Sequence, residues 1–433
     1  MTNATPNILF LFPDQWRWDW LGCHGAVGVR TPHLDALAAR GVRFTHCRVN
    51  SPVCSPSRAC LSTLRRYENA GVPDNRHNTV PEDALLWRGL RDQGYRVATC
   101  GKDDLHKADE AWSRDGWMPI LGRYGFTEAR AHAGKWDAYG KGRKNLPELF
   151  TTRLAQEGLL PAYFAAMDLQ GRDKTALPGA VTWPLPERLH TDSVCGANAC
   201  ALIEAFPAEG PWALWVNFPG PHEPHDPPGA YAAKYADADF PQPVSARGEA
   251  AEHLHRRRQY AANCEHIDTW IGRILDAVER RGETGNTLVV LASDHGDMMG
   301  DHGRYHKSVA HEGSLRVPCI VAGPGVERRG TSSALVELID LGATILEAAG
   351  MPRDQLREAR PLWPLLRGSG DDRTHRSHQC AALRDWRSVT TATHKLVADP
   401  SGIRLYDLVA DPGETADVAA AHPDLVADLA ART

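Results

Sequence analysis

Apolar residues run almost unbroken over 7–13 (Asn-Ile-Leu-Phe-Leu-Phe-Pro), and a polar pair, Asp14-Gln15, closes the run. That pattern predicts a strand covered on both faces. Thr31-Pro32 marks a helix start, with threonine as cap and proline in the first turn, and Gly41 stops the helix. Residues 42–49 read as the next strand, and strand, helix and strand at this spacing predict an α/β architecture. The alternation continues. Pro81 opens a helix through Leu90 that Gly94 ends, and 95–100 is a strand with Gly101-Lys102 at its exit. A helix over 190–206 leads into an apolar strand at 212–219. A long amphipathic helix over 248–281, broken by Gly282, leads into a buried strand at 287–292. Residues 317–321 give a further strand, and 335–349 a helix closed by Gly350.

Between these periodic segments lie three irregular ones. Residues 107–148 are rich in Gly, Trp, Lys and Asp without clean periodicity, which predicts a long excursion of the kind that builds a substrate wall. A helical pattern over 148–169 is followed by a Pro-rich stretch to about 188. The segment 221–229 (Pro-His-Glu-Pro-His-Asp-Pro-Pro-Gly) is a stiff loop. Beyond 370 the pattern changes to short strands at 381–383, 388–391, 395–398 and 404–407, a turn at Asp411-Pro412-Gly413, and a closing helix at 422–431. The expected organisation is therefore a main α/β unit over 1–368 and a small antiparallel α+β unit over 369–433.

Composition narrows the class. A chain of 433 residues can bury a large core, and 42% hydrophobic with 24% charged residues is ordinary for a soluble globular protein. The net charge of -5 argues against a nucleic-acid partner. No apolar run approaches membrane-spanning length, and the first residues lack the basic region and cleavage site of a secretory signal. The expected location is the cytoplasm, or the periplasm or exterior if a leader has been removed. Ten cysteines form no Cys-x-x-Cys pair and read as buried thiols.

Candidate chemistry gathers at strand ends, where open parallel sheets bind ligands: Asp14, Lys102, His222 and Asp294-His295. Asp14, Gln15 and Asp294 offer hard oxygen ligands suited to Ca²⁺ or Mg²⁺, and the nitrogen of His295 leaves Mn²⁺ open. The stretch 294–311 is dense in ionisable groups and contains three glycines, as expected of a loop turning tightly around something. Cys54 stands at the start of a helix-like run with Arg58 one turn on. It reads as a buried thiol, as a thiolate activated by a helix amino end and Arg58, or as a thiol converted into another group.

Cys54-Ser-Pro-Ser-Arg58 resembles the Cys-x-Pro-Ser-Arg motif of type I sulfatases, arylsulfatases among them, in the alkaline-phosphatase superfamily. The likeness extends through Asn7–Gln15, Thr31–Phe44, Gly94-Tyr95 to Gly101-Lys102, Pro221-His222, Ser293–Gly296, Lys307, Arg316-Val-Pro318, Leu405–Leu408 and Asp411–Glu414, in that order. It implies an alkaline-phosphatase-like fold with a mostly parallel central sheet. It also implies that a formylglycine-generating maturase oxidises Cys54 to formylglycine, whose hydrate is the nucleophile releasing inorganic sulfate from a small-molecule or carbohydrate sulfate ester. By this resemblance Asp14, Gln15, residue 54, Asp294 and His295 hold one divalent ion, with Ca²⁺ favoured. Arg58 positions the hydrate, Lys102 and Lys307 bind sulfate oxygens, and His222 meets the leaving side.

Three departures stand out. Asp14-Gln15 and Asp294-His295 replace the common Asp-Asp and Asp-Asn pairs and resemble the branch containing phosphonate monoester hydrolases. Lys102-Asp103-Asp104 replaces Lys-x-His, so Asp104 is expected to take a proton or recognise substrate, with His106 as a spatial substitute for the histidine. Ser62-Thr63-Leu64-Arg65-Arg66 replaces a Thr-Gly-Arg. Two other readings stay open: a phosphonate monoester or phosphodiester hydrolase using the same residues, and a non-catalytic binding protein that kept the fold.

Overall fold

The computed structural model describes residues 5–25, 27–107, 112–170 and 181–432. Parts of two predicted irregular stretches, 108–111 and 171–180, lie outside them. Eight strands form the main sheet: β1 (Asn7–Leu11), β2 (Val42–Arg48), β3 (Arg96–Gly101), β4 (Glu128–Ala131), β5 (Trp212–Asn217), β6 (Thr287–Ala292), β7 (Cys319–Ala322) and β8 (Gly330–Glu337). Their spatial order is β4-β3-β5-β1-β6-β7-β2-β8, parallel throughout except for β7, which runs against both its neighbours. The expected mostly parallel sheet is thus present. Strand β1 lies in its interior, with Ile8 opposite both Ala213 and Leu288.

The unbroken apolar run of β1 follows from this position. Ile8 and Phe10 enter a core that contains Ala59, Leu61 and Ile339, from the helices Cys54–Thr63 and Leu338–Ala348. Leu9 and Leu11 enter the opposite core with Ile203, Tyr260 and Ile267, from the helices Thr191–Ala205 and Ala250–Arg280. Both faces are covered, so no position in the strand has a polar side to face. Gly101 closes β3 at φ 79°, where any side chain would collide with the carbonyl of Asn217 on β5. Gly101→Ala is expected to destabilise the protein by more than about 2 kcal/mol, read as a lowered midpoint in thermal unfolding.

Several elements differ from the sequence reading. The helix expected from Pro81 is a 3₁₀ turn, Pro81–Asp83, followed by a helix at Leu85–Asp92. The pattern over 148–169 is two helices, Leu149–Gln156 and Leu160–Leu169, separated at Gly158 with φ 71°. The excursion after β3 holds the short edge strand β4 and the helices Pro119–Tyr124 and Lys135–Arg143. The helix read from residue 335 starts at Leu338, because 330–337 form edge strand β8 beside β2. Among the described residues no helix is long and apolar enough to cross a membrane.

A second, four-stranded antiparallel sheet is made by β9 (Gln379–Leu383), β10 (Trp386–Thr390), β11 (His394–Asp399) and β12 (Gly402–Asp407), with the helix Pro423–Ala430 against it. Gln379 Nε2 donates to the carbonyls of His46 and Val336, and the Asn50 amide donates to the Cys380 carbonyl. A buried ionic network completes the seam. Glu312 receives Arg48 Nε at 2.8 Å and Lys395 Nζ at 2.7 Å, and Lys395 also reaches Glu414 at 2.8 Å.

Candidate active site

Strands β3, β5, β1 and β6 are consecutive neighbours and parallel, so their carboxyl ends open at one edge. Lys102, Asn217, Asp14 and Asp294 come from those four ends, which is why residues far apart in the sequence meet. Cys54 enters from the side as the first residue of its helix, where the preceding Val53 supplies no side-chain cap to the free N–H groups. It is 1% exposed, and its Sγ lies 3.3 Å from His295 Nε2.

Asp14, Cys54, Asp294 and His295 each offer one ligand atom, all within 4.8 Å of one another and all buried. Lys102 Nζ pairs with Asp14 Oδ2, whereas Asp14 Oδ1 is buried with no hydrogen-bond partner. A carboxylate oxygen in that state is costly unless a cation meets it. Burial alone would raise the Asp14 pKa, but Lys102, His222, His295 and Lys307 outweigh it and hold the carboxyl well below its usual range. At Cys54, burial and Asp14 push the thiol upward, yet Lys102, Lys307 and His295 prevail and hold it well below its usual value. The surroundings favour an anion at residue 54.

Arg58 is fully buried and tied to the scaffold through Nε and Nη1, while its Nη2 lies 2.9 Å from Asp294 Oδ2 and 3.5 Å from Asp14 Oδ2 without a hydrogen bond. Nε donates to Asp294 Oδ2 at 2.9 Å, and Nη1 donates to the Lys102 carbonyl at 2.6 Å and to Asn217 Oδ1 at 2.8 Å. It orients one carboxylate of the cluster and ties three strand ends together. Gln15, at φ 66°, donates its backbone N–H to Asp294 Oδ1 at 3.0 Å, and its Oε1 accepts from Lys307 Nζ at 2.5 Å. Lys307 Nζ also lies 2.6 Å from His222 Nε2, while His222 Nδ1 lies 2.7 Å from the Glu223 carbonyl.

Above this floor opens a cavity of about 310 Å³. Cys54, Lys102, His222, Lys307, Lys107, Trp136 and Arg384 are among the residues that line it. Arg384 lies in the β9–β10 turn, so the small sheet contributes part of the wall. Two expected residues lie elsewhere. Asp104 is buried, does not line the cavity, and lies 3.2 Å from Lys102 Nζ and 3.1 Å from Lys107 Nζ. His106 does not line the cavity and turns its Nδ1 to the Tyr124 hydroxyl at 3.3 Å.

Sequence reading missed Asn217, Lys107 and a group beside Gln15 made of the buried Glu223 and Asp297 and the half-buried His306. Asn217 was legible in principle, since it is the lone amide ending an apolar strand. Asp297 and His306 fall in the ionisable stretch 294–311 already singled out, but nothing in their spacing distinguishes them from their neighbours. Lys107 lies in the aperiodic excursion, where no pattern fixes direction.

Residues 6–351 match the sulfatase family, and residues 300–432 match the C-terminal region of N-sulphoglucosamine sulphohydrolase. The chain belongs to the sulfatase family. It is a sulfuric ester hydrolase. An arylsulfatase of Clostridium perfringens is 27% identical over 454 residues, spanning 94% of this chain and 89% of that one. The phosphonate monoester hydrolase of Agrobacterium radiobacter superposes with a TM-score of 0.81 at 22% identity, over 99% of this chain and 94% of that one. A protein solved in complex with its substrate D-glucosamine-2-N,6-O-disulfate superposes with a TM-score of 0.76 at 19% identity, over 98% of this chain and 96% of that one. These two share the fold.

Proposed function

We propose that this enzyme hydrolyses the sulfate ester of a small molecule or carbohydrate at residue 54, after a maturase has oxidised Cys54 to formylglycine. Asp14, Gln15, Asp294 and His295 would hold one divalent ion beside it. The observation that carries the reading is the buried cluster of Asp14, Cys54, Asp294 and His295, with Asp14 Oδ1 left without a partner. A divalent ion there supplies Lewis acidity, and the oxygen-rich donor set suits Ca²⁺ first, then Mg²⁺ or Mn²⁺. The aldehyde, once hydrated, supplies one hydroxyl for attack and a second for release of sulfate.

The remaining work falls to the chain's own side chains. Lys102 and Lys307 line the cavity beside residue 54 and present compact cations to the ester oxygens. The Lys307–His222 contact holds a proton between Nζ and Nε2 in the cavity that Cys54 also lines, within which a leaving oxygen would be protonated. Asp104 aligns Lys102 and Lys107 instead of meeting substrate. In this reading residues 1–368 carry nucleophile and ion, and 369–433 complete the wall through Leu383 and Arg384.

A second reading, hydrolysis of a phosphonate monoester or phosphodiester, draws on the same singly charged tetrahedral anion and on the Gln15 and His295 pattern. Parallel rates on sulfate esters, phosphate monoesters, phosphonate monoesters and phosphodiesters separate the two, with sulfate esters expected to be fastest. Mass spectrometry of the peptide across residue 54 should show a loss of about 18 Da relative to cysteine. Active enzyme carrying only unmodified cysteine would overturn the proposal. Chelation is expected to abolish turnover and lower the unfolding temperature, with both restored by Ca²⁺. A non-catalytic protein would show neither response.

A further inference from the structure

Gln15 is fully buried in a position where every polar atom of the residue is committed. Its backbone N–H meets Asp294, and its carbonyl accepts from the Tyr260 hydroxyl at 2.6 Å. On the side-chain amide, Nε2 donates to Glu223 Oε2 at 2.9 Å and to Asp297 Oδ2, while Oε1 faces Lys307. A carboxylate oxygen can only accept, so the two acidic groups can be satisfied only by the NH₂ end of the amide. The other end, an oxygen, is thereby turned toward Lys307, which lines the cavity with Cys54.

The acidic pair is itself held in place. Glu223 is flanked by His222 at 3.1 Å and His306 at 3.3 Å, and Asp297 Oδ1 accepts from the backbone N–H groups of Met299 at 2.7 Å and His306 at 3.1 Å. Burial raises the cost of the charge on Glu223, but His222, Lys307 and His306 keep the carboxyl well below its usual range. Both groups are acceptors fixed by neighbours with no comparable freedom to turn. The amide is the adjustable member.

We infer that Glu223 and Asp297 are positioning residues that lock the Gln15 amide with its oxygen turned away from themselves, toward Lys307 and the side of the proposed ion, and that they set this position as an amide instead of a carboxylate. An aspartate or glutamate at 15 would bring a third carboxylate against two others in a buried space, a like-charge contact that is strongly unfavourable unless a proton is taken up. The pair therefore explains why this chain carries Asp14-Gln15 with one negative charge fewer than an Asp-Asp pair. The inference rests on the proposed divalent-ion site.

The test is metal affinity of the apo protein, measured by calorimetry with Ca²⁺ and separately with Mn²⁺, beside the unfolding temperature without metal. In the double variant Glu223→Gln/Asp297→Asn the backbone N–H groups of Met299 and His306 keep the amide oxygen of the new side chain at 297 on their side, so its NH₂ end meets residue 15 where a carboxylate oxygen stood. The Gln15 amide then turns over, its NH₂ end faces Lys307 and the side of the proposed ion, and affinity is expected to fall at least about tenfold with the metal-free unfolding temperature little changed. Gln15→Glu alone is expected to weaken ion binding and to lower the metal-free unfolding temperature. The triple variant Gln15→Glu/Glu223→Gln/Asp297→Asn restores matched donors and acceptors with an oxygen toward the ion, and affinity is expected to return to the parent value or above. Unchanged affinity in the double variant, or no rescue in the triple, overturns the lock while leaving the ion site standing. Parent protein that binds neither ion overturns the lock and the proposed site together.

Discussion

Cys54→Ala is expected to lower the rate of sulfate-ester hydrolysis by on the order of 10⁴–10⁶-fold, the scale seen when a covalent nucleophile is removed. The side chain is small, already buried, and holds only a 3.3 Å contact to His295 in the unmodified form, so the fold should survive its loss. Unfolding temperature reports this independently of turnover, and it is expected to move by only a few degrees. Cys54→Ser makes the chemistry more specific. Serine can accept the sulfuryl group but has no second hydroxyl with which to expel it, so one turnover followed by a stall is expected, visible as a burst. Steady turnover by the serine variant would show that release does not need an aldehyde.

The second large effect concerns stability. Lys395→Met is expected to cost about 3–5 kcal/mol, because it leaves Glu312 and Glu414 buried beside each other without the cation between them. Lys395 Nζ also donates to the Ala310 carbonyl at 2.9 Å, so a backbone acceptor is orphaned as well. Burial pushes both glutamates upward, but Arg48 and Lys395 hold Glu312 well below its usual range, and Lys395 and His311 lower Glu414. Depressed folded values mean that the stabilisation is present above the ordinary glutamate value of about 4.3 and is lost as pH falls from there through the folded values. The parent should therefore lose stability below about pH 4.3, and Lys395→Met should show a much shallower loss there. Chemical denaturation at a series of pH values measures both, and equal acid sensitivity in the two proteins would refute the network's role.

How far the sequence disclosed this molecule depended on burial. Strands covered on both faces, such as β1, β5 and β6, declared themselves as apolar runs, and their polar exits named Asp14 and Asp294. The edge strands did not. β4, Glu-Ala-Arg-Ala, is four residues long and only half-buried, and the exposed half of β8, Gly330-Thr331 and Ser333, has no helix-free signature of its own. The apolar end of β8 merged with the following helix because both bury every residue from Leu335 to Leu346. Side chains that act through others were equally hidden. Asp104 was read as taking a proton or recognising substrate, yet it pairs with its near neighbours Lys102 and Lys107, whereas Arg58, read as positioning the nucleophile, meets Asn217 and Asp294 at strand ends that only the assembled sheet brings to it.

The placement of β1 between β5 and β6 also sets a timetable for biosynthesis. Its register partners begin at residues 213 and 287, so this apolar strand leaves the ribosome long before either neighbour exists. At about 5–20 residues per second, the wait for β6 is on the order of 15 s to a minute. During that interval Asn7–Leu11 is an unpaired hydrophobic strand with two vacant edges, and chaperone capture or pairing with another nascent chain competes with assembly of the sheet.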